Sequence, residues 1–137
     1  MILKQMLGSK IHRASVTKKN LHYSGSIGID KALLSKSGIS SGEKVQVLNI
    51  NNGARFETYV IEEKAGSGAI GLYGAAARCG EIGDKVIIIS YILASADELS
   101  YVEPAIVLVD ENNRIISKER KKRRSGNRTG SQEKNKR

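Results

Sequence analysis

The 137-residue chain has no tryptophan and a single phenylalanine, Phe56. Any core it builds must therefore be aliphatic, and isoleucine, valine, leucine and alanine are plentiful enough for one compact domain of this length. Cysteine is equally scarce. Cys79 stands alone, which excludes an intramolecular disulfide, and no Cys/His cluster has zinc-ligand spacing, so no metal is expected. The opening Met1-Ile-Leu-Lys-Gln-Met-Leu is too short and too soon polar for a signal peptide or a membrane span. A reducing cytoplasm is the expected compartment, with no membrane partner.

Charge is abundant but unevenly placed. The formal net charge is +9, yet Lys118 to Arg137 holds ten basic and two acidic residues, and the first 117 residues are almost balanced. This divides the chain into a domain over 1–117 and a basic tail over 118–137, expected to be disordered because apolar residues vanish there. The tail has no interleaved aromatics for base stacking. Nonspecific contact with a polyanion through counterion release stays open, but a solvated tail is the favoured reading.

The domain reads as short strands with tight connections. KIHRASVT alternates, with Ile11, Arg13 and Ser15 on one side and His12, Ala14 and Val16 on the other. Asp30 is placed to cap a short helix through KALLSKS, with Gly38 as its stop. KVQVLNI and ARFETYVIEE flank Asn51-Asn52-Gly53, a strong hairpin signal. AIGLY and KVIIISYIL read as further strands, GAAARCG and SADELS as single helical turns, and Pro104 to Val109 as the last strand. Many short strands and no long amphipathic segment favour a mainly β fold, a small closed barrel with a few short helices.

AGSGAIG matches a dinucleotide fingerprint in form through Gly66, Gly68 and Gly71. That chemistry needs a helix opening inside the motif, whereas here a strand follows, so a hairpin turn is the better reading. Lys10 and His12 on the first strand, with Arg55, Thr58 and Tyr59 after the Asn-Gly turn, offer two cations, an imidazole, a hydroxyl and a phenol. By themselves they are also ordinary barrel surface residues. HYSGSIGID, from His22 to Asp30, poses a sharper question. Its Ser24-Gly25-Ser26 is either a turn or a peptide bond placed to be broken.

GSKIHRASVT, LHYSGSIGID, NNGARFETYVI and YGAAARCGEIGDKVIIISY, in that order, resemble the pyruvoyl-dependent aspartate 1-decarboxylase family from Met1 to about Ile116. The resemblance implies a double-psi β-barrel, a homotetramer, and conversion of L-aspartate to β-alanine and carbon dioxide for pantothenate and coenzyme A synthesis. It also implies self-cleavage between Gly25 and Ser26, giving a β chain 1–25 and an α chain 26–137. Ser26 would become a covalent pyruvoyl group, the cofactor that takes aspartate as a Schiff base. Thr58 matches the residue linked to the processing oxyanion, and Tyr59 the acid that reprotonates Cα. Arg55, Lys10 and His12 match residues at the substrate, and Ala75 and Ala76 match small residues beside the pyruvoyl group. Tyr23 is expected to hold the cleavage loop or line the pocket.

Two features depart from the family. Tyr73 stands where asparagine is common, so that asparagine's role is not carried onto it, and the basic tail has no counterpart in the family core. The departures keep three alternatives in view: the self-maturing enzyme, a homologue that cleaves slowly or needs a maturation factor, and a noncatalytic β-barrel module whose tail engages nucleic acid.

Overall fold

The first long strand bends where its alternation breaks. In the computed structural model, which describes residues 1–120, strand β1 (Leu3–Ser15) pairs antiparallel with β7 (Lys85–Ser95). Ile11 sits opposite Ile88 and Ala14 opposite Val86, so β1 carries one extra residue between them. Arg13 adopts φ 66° at this bulge and is exposed, while Ile11, Ala14 and Val16 all enter the core. Strict alternation would have put Arg13 on the side of Ile11; the bulge resets the face instead.

Strand β2 (Lys18–Asn20) and a turn lead to β3 (Ser26–Asp30), every residue of which is buried. Helix α1 (Lys31–Ser37) starts and stops as the sequence predicts. The Asp30 carboxylate accepts from Ala32 N at 2.8 Å, and Gly38, at φ 81°, donates its N–H to the Leu34 carbonyl. The same carboxylate accepts from Gly66 N at 2.9 Å and Gly68 N at 2.8 Å. One buried acid thus holds both the helix start and the glycine loop.

Strands β4 (Lys44–Asn49) and β5 (Arg55–Glu63) form the expected hairpin around Asn51-Asn52-Gly53. Strand β6 (Ile70–Tyr73) does not form a hairpin with β5, however, because β3 lies between them, parallel to β5 and antiparallel to β6. The glycine stretch is a turn, as read, but a crossing one. The 3-10 turns Gly74–Cys79 and Ala96–Tyr101 match the two predicted helical turns, the second closed by a Ser95/Glu98 capping box. Strand β8 (Ala105–Val109) is followed by β9 (Ile115–Arg120), which pairs antiparallel with it. The last strand was therefore not at Val109, and Lys118 to Arg120 belong to the sheet instead of opening a tail. Alternating exposure in IISKER hid a strand that, among the described residues, pairs with β8 alone. The rest of the expected tail lies outside the described residues.

The strands run β2-β6-β3-β5-β4-β7-β1-β8-β9, with parallel pairs β2/β6, β3/β5 and β1/β8 reached by crossovers. This is the mainly β architecture expected, although the hydrogen-bonded ladder is not strictly closed. Ile11, Ile27, Ile29, Ile70, Leu72 and Ile88, from strands across the order, pack into one core, each fully buried isoleucine or leucine contributing roughly 1.5–3 kcal/mol. Asn113, in the β8–β9 turn, donates to Ser15 O at 2.9 Å and Gly68 O at 2.7 Å and accepts from Ser15 N at 2.7 Å.

Candidate active site

Ser26 begins β3 and is wholly buried. Its Oγ donates to the Ser24 carbonyl at 3.1 Å, across the Gly25 residue that precedes it. On one side its register partner is Tyr73 of β6. On the other, β3 pairs with β5 through Ile27 and Val60, and carrying that register back one residue sets Tyr59 level with Ser26. Thr58 is half-buried and Tyr59 exposed. The sheet thus brings Ser26, Thr58 and Tyr59 together although more than thirty residues of sequence separate them.

The turn after β6 supplies the other wall. Gly74 adopts φ 66°, and a Cβ there would lie 2.5 Å from Gly25 Cα, 2.7 Å from Gly25 N and 2.9 Å from Tyr23 O. All three neighbours are backbone, which has no room to give. Ala75 and Ala76 follow in the same turn, the first exposed and the second buried. Gly25 itself is neither strained nor crowded. Its φ is not positive, and a Cβ there would meet only Tyr73 O, at 3.9 Å. The crowding that requires a glycine lies at Gly74.

Tyr73 is almost buried and lies over two facing glycines. A Cβ on either Gly28 or Gly71 would come within 2.9 Å of Tyr73 Cε2. Its hydroxyl donates to Glu63 Oε2 at 2.5 Å, and Glu63 also pairs with Lys18 at 3.2 Å. The Tyr23 ring stands 4.9 Å away, tilted by 59°. Burial first, and then the Glu63 hydrogen bond, push the Tyr73 phenol well above its ordinary range, so it remains a neutral donor. Sequence reasoning missed Gly74, Glu63 and Lys18. The signal for the ring's bed was there, in single glycines inside SIGID and AIGLY, since a glycine within a strand marks a close approach.

The remaining site residues are not gathered here. Lys10 and His12 line a cavity of about 270 Å³ with Leu7, Pro104, Ile106, Leu108 and Glu119. In the strand order, β5, β4 and β7 separate their strand from β3. Arg55 is exposed at the far end of β5 and donates to Gln46 Oε1 at 3.3 Å; four residues of strand put it about 13 Å along from Tyr59. Within one chain, Lys10 and Ser26 therefore stand on strands that are not neighbours in the sheet. No helix among the described residues is long and apolar enough to cross a membrane.

The chain is similar to known proteins along most of its length. The sequence profile described as aspartate decarboxylase matches residues 2–116. The aspartate 1-decarboxylase of Caldicellulosiruptor saccharolyticus is 54% identical over 124 residues, covering 90% of this chain and 97% of its own. That of Carboxydothermus hydrogenoformans is 59% identical and covers 81% and 87%, and that of Kosmotoga olearia is 59% identical and covers 82% and 96%. A profile spanning nearly all the described domain, with relatives this similar along most of their lengths, shows that the chain belongs to the aspartate decarboxylase family.

Proposed function

We propose that the chain breaks its own Gly25–Ser26 bond and then removes the C1 carboxyl of L-aspartate, releasing β-alanine and carbon dioxide for pantothenate and coenzyme A synthesis. The observation that carries this reading is the placement of Ser26: buried, hydroxyl hydrogen-bonded across the preceding residue, and walled by the Gly74 turn.

Cleavage begins when Ser26 Oγ attacks the Gly25 carbonyl carbon. The hydroxyl proton is lost, the amide nitrogen gains one, and an ester replaces the amide. The exchange is uphill, since an amide is more stable than an ester, and it proceeds only where the fold strains the amide or stabilises the tetrahedral oxyanion, the part assigned to Thr58. Loss of the Ser26 Cα proton expels the Gly25 carboxylate and leaves dehydroalanine. Water then converts this to a pyruvoyl group and ammonia. The products are a β chain of residues 1–25 and an α chain of 26–137, with the barrel domain extended to Arg120 by β9.

The residues present suit such a group: Ser26 is its source, and the small Ala75 and Ala76 follow Gly74, whose backbone packs against Gly25. Its ketone supplies an electron sink for the carbanion left by carbon dioxide. Tyr59, exposed on β5 and level with Ser26, is the donor that returns a proton to Cα. Arg55 clamps a substrate carboxylate in bidentate fashion, and Lys10, with His12 beside it, supplies a compact charge. Because those cations stand apart from Ser26 within one chain, the working site is composed between copies, in keeping with a homotetramer. The compartment is a reducing cytoplasm.

The test is the intact mass of freshly purified protein under denaturing conditions. Two masses split after Gly25, the larger lighter by one ammonia than a chain that begins with serine, support the reading. A single full-length mass sinks it.

A further inference from the structure

We propose that Tyr73 is a positioning residue for self-cleavage, the centre of a clasp that holds the segment before the broken bond. This rests on the self-cleavage reading above. The clasp runs in one physical chain. Lys18 of β2 pairs with Glu63 at the end of β5 at 3.2 Å. Glu63 Oε2 takes the Tyr73 hydroxyl at 2.5 Å. The Tyr73 ring, seated over Gly28 and Gly71, meets the Tyr23 ring at 4.9 Å. Tyr23 directly precedes Ser24, whose carbonyl accepts the Ser26 hydroxyl at 3.1 Å.

Each link constrains the next. The ring cannot shift sideways, because the two glycine backbones form its bed and the phenol is anchored on β5. Tyr23, by contrast, is about half exposed and lies in a turn between β2 and β3. Its contact with Tyr73 restricts the turn and so keeps the Ser24 carbonyl beside the Ser26 hydroxyl. An attacking oxygen must be held in near-attack geometry for its reaction to be fast, and small losses of alignment are costly in rate. The clasp also crosses the bond that breaks: Lys18 and Tyr23 belong to residues 1–25, Glu63 and Tyr73 to residues 26–137. Tyr73 keeps its proton because of burial and the Glu63 contact, so the anchor persists throughout the neutral range.

The experiment follows cleavage of newly synthesised full-length chain by denaturing mass spectrometry, with melting temperatures measured in parallel on a Ser26→Ala background. Tyr73→Leu, which loses ring and hydroxyl, is expected to slow cleavage about tenfold, equal to roughly 1.4 kcal/mol in the barrier. Tyr73→Phe and Glu63→Gln keep the ring contact and lose or weaken the anchor, and each slows cleavage by a smaller factor. Because the two act through one contact, the double variant is expected to be no slower than the slower single. Wild-type rates in Tyr73→Leu overturn the clasp, as does a double variant whose slowing is the product of the singles. A wild-type chain that never cleaves is a different result: it removes the self-cleavage reading and the clasp with it.

Discussion

Gly74 meets Gly25 backbone to backbone, so closely that a Cβ on Gly74 would lie 2.5 Å from the Gly25 Cα. The residue that most needs to be glycine near the proposed cleavage point is thus not at that point but 49 positions downstream. Strand β3, helix α1, the β4–β5 hairpin and strand β6 intervene before the chain returns to it.

From this pairing we expect Gly74→Ala to be far more damaging than Gly25→Ala. At Gly74 the new methyl meets three backbone atoms and a positive φ; at Gly25 it meets one carbonyl oxygen at 3.9 Å. Intact-mass measurement should show little or no cleavage for Gly74→Ala, about tenfold slower or worse for a barrier rise of only 1.4 kcal/mol, and substantial cleavage for Gly25→Ala. Equal behaviour of the two would remove the wall formed by the Gly74 turn.

The separation of Lys10 from Ser26 leads to a mixing experiment. Ser26→Ala chains should neither cleave nor decarboxylate, and cleaved Lys10→Ala chains should be impaired with aspartate. Coexpressed, the two should recover part of the activity, because some sites would join an intact Lys10 from one copy to an intact Ser26 from another. No recovery in mixed oligomers would place both groups in one chain's site. Arg55→Ala is expected mainly to raise the KM for aspartate, and an unchanged KM would end its role as the clamp.

Asn113 predicts a stability effect remote from the chemistry. It is buried, and its amide serves Ser15 N, Ser15 O and Gly68 O. Asn113→Ala strands these groups together and also puts alanine at φ 61°. We expect a loss of about 3 kcal/mol, since each stranded buried group costs roughly 1–3 kcal/mol. Urea unfolding of the uncleaved Ser26→Ala form measures it, and a loss below about 1 kcal/mol would mean that water replaces the amide.

Asp84 sets an acid limit. Hydrogen bonds from Asn49 Nδ2 and then Glu81 N hold its carboxyl below the ordinary aspartate range. A depressed folded-state pKa stabilises above the unfolded value of about 3.9 and is lost as pH falls through the folded value. Relative to Asp84→Asn, the wild-type domain should therefore lose stability more steeply from about pH 4 downward. Parallel acid profiles for the two proteins would refute this contribution.

What could be read in advance was mostly local. Asp30 and Gly38 bracket α1 within a few residues, Asn51-Asn52-Gly53 turns the β4–β5 hairpin, and Ser95 with Glu98 caps a single turn. Strand β9 escaped because IISKER lacks a buried face and carries three charges. The placement of β3 between β5 and β6 escaped because a short glycine loop gives no sign of which strand will separate its flanks.

The sequence by itself determined an aliphatic β domain, the short elements, the family resemblance, and the Gly25-Ser26 pair with its associated hydroxyl, phenol and cations. These follow from hydrogen-bonding and steric preferences acting over a few residues, or from motifs preserved in order along the chain. Tertiary structure alone decided that Gly74 walls Gly25, that Tyr73 spans from Glu63 to Tyr23, that Asn113 joins three distant segments, and that Lys10 stands apart from Ser26. Such relationships depend on strand order, register and crossover. Those are settled by which faces can bury together in three dimensions, a choice that no short window of sequence contains.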